Sequence, residues 1–202
     1  MHSNFDKLVV GLFKPGNYTN LTQTTEEIEL LNDISDMFST GGSDVTLVPE
    51  IQRHRFYKNF WNLAFSSIAT ATRYPVRAIF QEPEVEKIAV PVVRAIMEEM
   101  LAVGRALGFD EEAIPSSVVE DTIRSTGDIH RRPDSKHKAS MLLDVELGKP
   151  LEVEVIVGEV LRRGKAVGVD TPRIELLYTI VKELLAELTP SDPLVYYNCR
   201  AY

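Results

Sequence analysis

The chain has 202 residues, 44% hydrophobic and 26% charged, which is ordinary for a soluble globular protein with one core and room for a partial second domain. Its formal net charge of −8 at pH 7 argues against nucleic acid and anionic membranes as main partners, because both select basic surfaces. The lone Cys199 forms no internal disulfide and builds no zinc site, and without a visible signal peptide or transmembrane stretch we expect a cytoplasmic protein.

The first predicted elements form a short β-α-β segment. Residues 7–13 have the apolar run of a buried strand, and Thr24 with Glu27 forms the capping box that begins a helix. Residues 44–48 predict a second strand, which we expect Pro49 to stop. Such a segment is too small to be a stable sheet domain on its own. We therefore interpret it as an incomplete α/β segment.

Helical patterns follow from residue 50 onward. Pro75 and Gly108 mark helix ends, and the Thr171-Pro172 pair is typical of a helix start. The patterns predict six helices, at about residues 50–73, 84–107, 110–125, 136–147, 151–167 and 172–188, the third of them broken or re-entrant around Pro115. The predicted domains are therefore residues 1–49, an all-α domain at 50–190 and an irregular tail at 191–202.

Three polar residues recur at a spacing of four within the first of these helices. In IQRHRFYKNFWNLAFSSIATATR, Lys58, Asn62 and Ser66 drift by only about 40° per step and so form one polar ridge. A lysine among apolar side chains can protonate a carbonyl oxygen or stabilise charge growing there, and an amide and a hydroxyl can orient a substrate. The alternative is that the polar ridge is only the wet face of an amphipathic helix.

Two further candidates lie in the stretch ASMLLDVELGKPLEVEVIVG. Ser140 and Glu152 are separated by a helix end, so their spacing alone does not show that they converge. Ser140 can equally be a plain helix serine, and Glu152 an acid in a first helical turn, where the helix dipole favours it. A basic run just before them, HRRPDSKHK at residues 130–138, is either a solvated loop or an anion-binding loop beside a site.

Taken together, these motifs resemble the C-terminal half of the ketopantoate reductase (2-dehydropantoate 2-reductase) family. The family shows a lysine with asparagines four and eight residues later, and then a Ser-Met-x-x-Asp block twelve residues before a glutamate. Lys58 and Asn62 match the first block, and Ser140 and Glu152 match the second at the same separation. A glycine and a Thr-Pro pair follow in the same order, and the likeness covers about residues 44–185.

The resemblance implies a fold and a reaction. The fold would be mostly α, a helical domain of the 6-phosphogluconate dehydrogenase C-terminal-like type after a Rossmann remnant. The reaction would be the NADPH-dependent reduction of 2-dehydropantoate, a 2-keto acid, to pantoate in pantothenate biosynthesis. Lys58 would be the general acid, Asn62, Ser66 and Ser140 would bind the substrate, and Glu152 would orient the substrate hydroxyl or the lysine. Family members often pair through this domain, which implies a homodimer.

The sequence also departs from the family pattern. Ser66 replaces the second asparagine and shortens one hydrogen-bonding arm, while Phe56 replaces a tryptophan and Leu151 a threonine. None of the eleven glycines forms the G-x-G-x-x-G fingerprint of a dinucleotide site. We therefore interpret residues 1–49 as the end of a nucleotide domain and expect this chain alone to bind NADPH poorly or not at all.

Three hypotheses for function remain open from the sequence. The first is that the chain is the substrate half of a ketopantoate reductase-like NADPH enzyme. The second is that the helical domain is a non-catalytic binding or dimerisation module derived from that family, since long apolar helices and an exposed sheet edge favour self-association. The third is a helical small-molecule binder without any reductase history, which requires the block order to be a coincidence.

Overall fold

The structure is a computed structural model that describes residues 6–188. The chain divides after Tyr57 into two compact units. In the first unit, the strands β1 (Lys7–Leu12) and β2 (Asp44–Glu50) pair in parallel on either side of helix α1 (Thr25–Thr40) in the sequence. The predicted β-α-β order is therefore present, as is the predicted capping box. The Thr24 hydroxyl accepts the Glu27 N–H at 3.2 Å, and the Glu27 carboxylate accepts the Thr24 N–H at 2.9 Å.

The prediction that Pro49 stops the second strand is wrong. Gly11 pairs with Val48 and Leu12 pairs with Glu50, so the register shifts by one residue and Pro49 stands opposite no partner. A bulge of this kind accommodates a residue that has no N–H to donate, because the extra residue takes no part in the ladder. Gly11 is required beside it, since a Cβ there would lie 2.6 Å from a Val48 side-chain carbon and 2.8 Å from the Val48 carbonyl oxygen.

The rest of the described chain is helical, which confirms the mostly α fold. Helix α2 (Gln52–Trp61) continues through a π-helical turn at Asn62–Ser66 into helix α3 (Ser67–Thr72). A second π-helical turn, Glu154–Gly158, leads directly into helix α8 (Glu159–Ala166). The remaining helices are α4 (Arg77–Gln81), α5 (Pro83–Ala106), α6 (Val118–His130), α7 (Ser140–Glu146) and α9 (Pro172–Leu188).

The helix predicted at 110–125 is wrong in its first half. The Arg105 guanidinium donates to the carbonyl oxygens of Asp110 at 2.8 Å and Ile114 at 2.6 Å. The Asp110 carboxylate in turn accepts the N–H of Ala113 at 2.8 Å. These bonds hold residues 110–117 as a compact series of turns, and α6 begins only after them.

Other predicted boundaries need smaller corrections. Helix α7 begins at Ser140 rather than at 136, and the helix predicted at 151–167 begins after Glu152, so Glu152 precedes the first turn instead of lying in it. The short helix α4 has no counterpart among the predicted elements. The tail predicted at 191–202, with Cys199, lies outside the described residues.

A buried carboxylate fixes the start of the last helix. Glu99 of α5 accepts the backbone N–H groups of Arg173 at 3.1 Å and Ile174 at 3.0 Å. It also pairs with the Arg173 guanidinium at 3.0 Å. The first N–H groups of a helix have no partner within the helix, and an anion there is also favoured by the helix dipole. Glu99 therefore caps α9, whose apolar stripe is buried at Ile174, Leu177 and Val181.

Candidate functional site

The polar ridge runs from the surface into the core. Lys58 on α2 is exposed, Asn62 at the start of the first π turn is half-buried, and Ser66 at its end is only 1% exposed. Within residues 6–188, the Lys58 ammonium forms no hydrogen bond or ion pair. The ridge therefore presents a cation at the surface and a hydroxyl in the interior.

Ser66 does not lie on a wet helix face. Its Oγ is buried and has no hydrogen-bond partner among the described residues. Its backbone carbonyl is occupied, because the Thr70 hydroxyl donates to it at 2.8 Å. A buried hydroxyl without a partner is costly, and native proteins hold few such groups. The explanation of the ridge as an ordinary solvated surface therefore fails at Ser66.

Asn62 and Ser66 of the ridge lie in the first π-helical turn, and this turn contacts the second π turn. A side-chain bond joins the preceding helix α2 to the second π turn: the Asn59 amide donates to the Ile156 carbonyl oxygen at 2.8 Å. π turns occur mostly as single insertions in α-helices and are frequent at functional sites. Sequence reasoning missed Asn59, because the only signal is an amide next to Lys58 and its partner lies 97 residues away.

Ser140 and Glu152 lie on elements that approach the ridge. Ser140 is the first residue of α7, which packs against the first π turn and α3. Glu152 comes just before the second π turn, and its carbonyl accepts the Ile156 N–H at 2.9 Å. Both residues are exposed, and in the described chain no side-chain hydrogen bond joins either one to Lys58, Asn62 or Ser66. The structure thus brings α7 and the second π turn close to the ridge, but no side-chain hydrogen bond joins Ser140 or Glu152 to the ridge within the described residues.

An ionic cluster that the sequence motifs did not indicate holds the second π turn. It consists of Glu154 with Arg162, Tyr178 and Lys182. The Glu154 carboxylate accepts from Arg162 at 2.8 Å and from the Tyr178 hydroxyl at 2.8 Å, and it also binds the Lys182 ammonium. Desolvation alone would raise the pKa of Glu154, but the bonds from Lys182, Arg162 and Tyr178 lower it to about 2.

The cluster explains the glycine of the family pattern. A Cβ at Gly158 would lie 2.8 Å from a Glu154 carboxylate oxygen and 2.9 Å from a Tyr178 ring carbon. A side chain at this point of the π turn would have to displace Glu154, Tyr178 or Arg162, so glycine leaves the Glu154 cluster undisturbed. The cluster joins the turn to α8 and α9, and so supports the backbone that accepts the Asn59 bond.

The described residues do not fit a dinucleotide site. The turn between β1 and α1 contains a single glycine, Gly16, where a pyrophosphate cradle needs three. Gly11 within β1 is closely packed by Val48, which leaves no space for a phosphate beside it. In the same part of the chain no cluster of three or more histidines, cysteines or acids could hold a metal. No helix there is long and apolar enough to cross a membrane.

Comparison with known proteins identifies the family. The family model described as "Ketopantoate reductase PanE/ApbA C terminal" matches residues 50–185. The chain belongs to the ketopantoate reductase family. The matched range contains every residue of the polar ridge as well as Ser140, Glu152 and the Glu154 cluster. The resemblance recognised from the sequence motifs is thereby confirmed.

Individual relatives agree with this assignment. A 2-dehydropantoate 2-reductase of Nostoc sp. is 27% identical over 91% of this chain and 52% of its own length. The crystal structure of 2-dehydropantoate 2-reductase from Methylococcus capsulatus superposes with a TM-score of 0.74 at 29% identity, covering 94% of this chain and 58% of that one. A dimeric ketopantoate reductase from Staphylococcus aureus shares the fold, with a TM-score of 0.63 at 24% identity over 79% of this chain and 52% of its own. The chain thus spans about half the length of the curated relatives it matches.

Proposed function

We propose that this chain supplies the substrate-binding and proton-donating half of a 2-keto acid reductase, with 2-dehydropantoate (ketopantoate) as the substrate. The proposal is supported by family membership and by one structural observation. Among residues 6–188, the polar ridge places an ammonium without a partner at the surface end and a hydroxyl without a partner at the buried end of one helix face. A small polar acid could supply the hydrogen-bond partners that the Lys58 ammonium and the Ser66 hydroxyl lack among the described residues.

Each predicted residue has a role in this proposal. Lys58 would donate a proton to the ketone oxygen as charge develops there, since an ammonium both attracts and neutralises a growing oxyanion. Asn62, Ser66 and Ser140 would bind the polar groups of the keto acid. Glu152, exposed just before the second π turn, would orient the substrate hydroxyl or the lysine.

The hydride for such a reduction would come from NADPH, the cofactor that the resemblance to the family implies. Because the described residues lack a pyrophosphate cradle, we assign no residue of this chain to that cofactor. The expected result of titrating NADPH into this chain is no saturable binding. Saturable binding, measured by the fluorescence of the reduced nicotinamide, would contradict this division of roles.

The substrate role can be tested on the chain as it is. We expect isothermal titration with ketopantoate to show saturable binding at pH 7.5. Lys58→Ala should weaken it by roughly 10- to 150-fold, because a hydrogen bond to a charged group contributes about 1.5–3 kcal/mol. Lys149→Ala is the matched control, since Lys149 is also an exposed lysine of the helical unit. Equal affinities for the unmodified chain and Lys58→Ala, or an absence of saturable binding, would refute the proposal.

A second candidate function, dimerisation through the helical unit, is favoured by an apolar stripe on α5. Val85, Ile88 and Val92 follow the i, i+3, i+7 spacing of one helix face and are 45%, 71% and 46% exposed. Burying such a stripe against a second copy would remove apolar surface from water. The Staphylococcus aureus relative is described as dimeric. We propose that this chain forms a homodimer through α5.

Light scattering after size exclusion tests the dimer. The expected mass is twice that of the chain, and Ile88→Glu should reduce it to the monomer mass. Leu147→Glu serves as the control, because Leu147 is similarly exposed, at 64%, but lies at the end of α7 rather than on the stripe. A monomer mass for the unmodified chain over a wide concentration range would refute this proposal.

A further inference from the structure

Three aromatic rings form a continuous stack next to the polar ridge. The Trp61 and His137 ring centroids are 5.8 Å apart with an interplanar angle of 61°, an edge-to-face contact. The His137 and His130 centroids are 5.7 Å apart at 47°. We call Trp61, His130 and His137 the ring stack. Edge-to-face aromatic pairs are attractive beyond the area that they bury.

The ring stack connects two parts of the candidate site. Trp61 is the residue before Asn62 of the polar ridge, and His137 lies three residues before Ser140. His130, the last residue of α6, is 2% exposed, and its Nδ1 lies 3.0 Å from the Ser135 hydroxyl. The segment between α6 and α7, residues 131–139, is thus held near its start by His130 and near its end by His137. The backbone that enters α7 at Ser140 is therefore placed by an aromatic contact with α2.

We propose that the ring stack is a proton-sensitive positioning element, which holds Ser140 near Asn62 and Ser66 when buried His130 is neutral and releases it in acid. The role of Ser140 rests on the function proposed above. The ring contacts themselves are observed in the structure and do not depend on that function.

The electrostatic surroundings of buried His130 favour its neutral form. Within residues 6–188 neither imidazole of the stack forms an ion pair with a carboxylate. Two nearby acids are already paired: Glu86 of α5 binds Arg131, and Glu146 of α7 binds Lys138 at 2.7 Å. Asp128 of α6 lies 4.0 Å from the Arg131 guanidinium. Between α6 and α7 the chain has four basic residues, Arg131, Arg132, Lys136 and Lys138, against the single acid Asp134. A proton on His130 would therefore meet mostly like charge.

The pKa of His130 shows the same balance. Burial first, and then the neighbouring His137, lower the pKa of His130 below its usual 6.5. A lowered histidine pKa means that the folded chain resists protonation, so the stack is stable above about pH 6.5. Its stability decreases as the pH falls below that value towards the pKa of buried His130. Acid should therefore separate the rings.

The emission of Trp61 measures this directly, because it is the only tryptophan of the chain. The half-buried Trp61 should become more exposed when the stack opens, so its emission maximum should shift to the red between pH 8 and pH 5, with a midpoint below about 6.5. His130→Phe should abolish the shift, and His137→Phe should raise the midpoint by removing the like charge. His54→Gln is the histidine control and should titrate as the unmodified chain does.

Either of two results would overturn the proposal. The unmodified chain could show no red shift while circular dichroism stays constant, or the shift could persist unchanged in both His130→Phe and His137→Phe. The second variant keeps an aromatic ring at an exposed position, so the test remains valid even where His130→Phe does not fold.

A binding measurement tests the positioning role. At pH 7.5, His137→Ala should weaken ketopantoate binding by roughly 2- to 12-fold, as expected from the loss of one aromatic pair, and His137→Phe should restore it. Equal affinities for His137→Ala and the unmodified chain would refute the positioning of Ser140. An absence of ketopantoate binding by the unmodified chain would instead refute the proposed function, and the fluorescence titration would still decide whether the stack responds to protons.

Discussion

Replacing Glu154 by glutamine should destabilise the chain in a manner that depends on pH. The carboxylate carries three bonds, from Arg162, Tyr178 and Lys182, and its pKa is about 2 instead of the usual 4.5. One pKa unit corresponds to 1.36 kcal/mol, so the stabilisation by the ionised form is at most about 3 kcal/mol. The side chain is 29% exposed, and screening by solvent reduces this value. We expect Glu154→Gln to lower the free energy of unfolding by about 1–2 kcal/mol at pH 7.

The pH dependence of this loss of stability distinguishes the loss of a charge from a change in packing. A carboxylate whose pKa is lowered by folding stabilises the folded state above its unfolded pKa, and this contribution disappears as the pH falls towards the folded pKa. The difference between the unmodified chain and Glu154→Gln should therefore be full above about pH 5 and shrink between pH 4.5 and pH 2.

Urea unfolding followed by Trp61 fluorescence, at pH 7 and at pH 3, measures the difference within the helical unit. Glu159→Gln is the matched control, because Glu159 also binds Arg162 but is 43% exposed, and an exposed pair contributes less than about 1 kcal/mol. If the destabilisation by Glu154→Gln were the same at both pH values, the ionic explanation of the cluster would be refuted.

Four further substitutions concern buried groups in the helical unit, and the urea midpoint measures the effect of each. Ser66→Ala should leave stability unchanged or raise it by up to about 1 kcal/mol, because its hydroxyl has no partner, whereas Thr70→Val should cost about 1 kcal/mol by removing the bond to the Ser66 carbonyl. A clear loss of stability in Ser66→Ala would show that its hydroxyl has a partner. Glu99→Ala should cost about 2–3 kcal/mol, since it leaves the first N–H groups of α9 without their buried acceptor, and a loss under 0.5 kcal/mol would contradict that role. Gly158→Ala should lower the free energy of unfolding by about 1–3 kcal/mol through the contact of the new Cβ with Glu154 and Tyr178. An unchanged midpoint would mean that these side chains move aside at little cost.

The helical fold was predictable from the sequence because it depends on local signals. The capping box at Thr24 and the Thr-Pro start of α9 act within a few residues, and the apolar stripe of α9 repeats at the helical period. The first half of the helix predicted at 110–125 failed because a side chain from another helix, Arg105, binds the carbonyl oxygens of that segment. An apolar pattern does not report a bond of that kind.

The candidate site was predictable only in part, for a similar reason. The spacing of four indicated Lys58, Asn62 and Ser66, but it could not show that Ser66 is buried without a partner. The residues that support the ridge contact partners far along the chain, as Asn59 does with Ile156. The predicted domain boundary at residues 49 and 50, and the roles of Ser140 and Glu152, remain predictions.

The first π turn also has a consequence for the tolerance of this helix to deletion. A π turn inside an α-helix contains one residue more than regular α-helical bonding needs. Removing one residue from Asn62–Ser66 would let the helix close with regular bonding, because a π turn uses about one residue more than an α turn to go round once. The segments on either side would then keep nearly the same phase, with Lys58 still at the surface and Phe60 still in the core. A single-residue deletion here should therefore be less damaging than one in the middle of a regular helix such as α5, where the two sides would rotate by about 100° relative to each other.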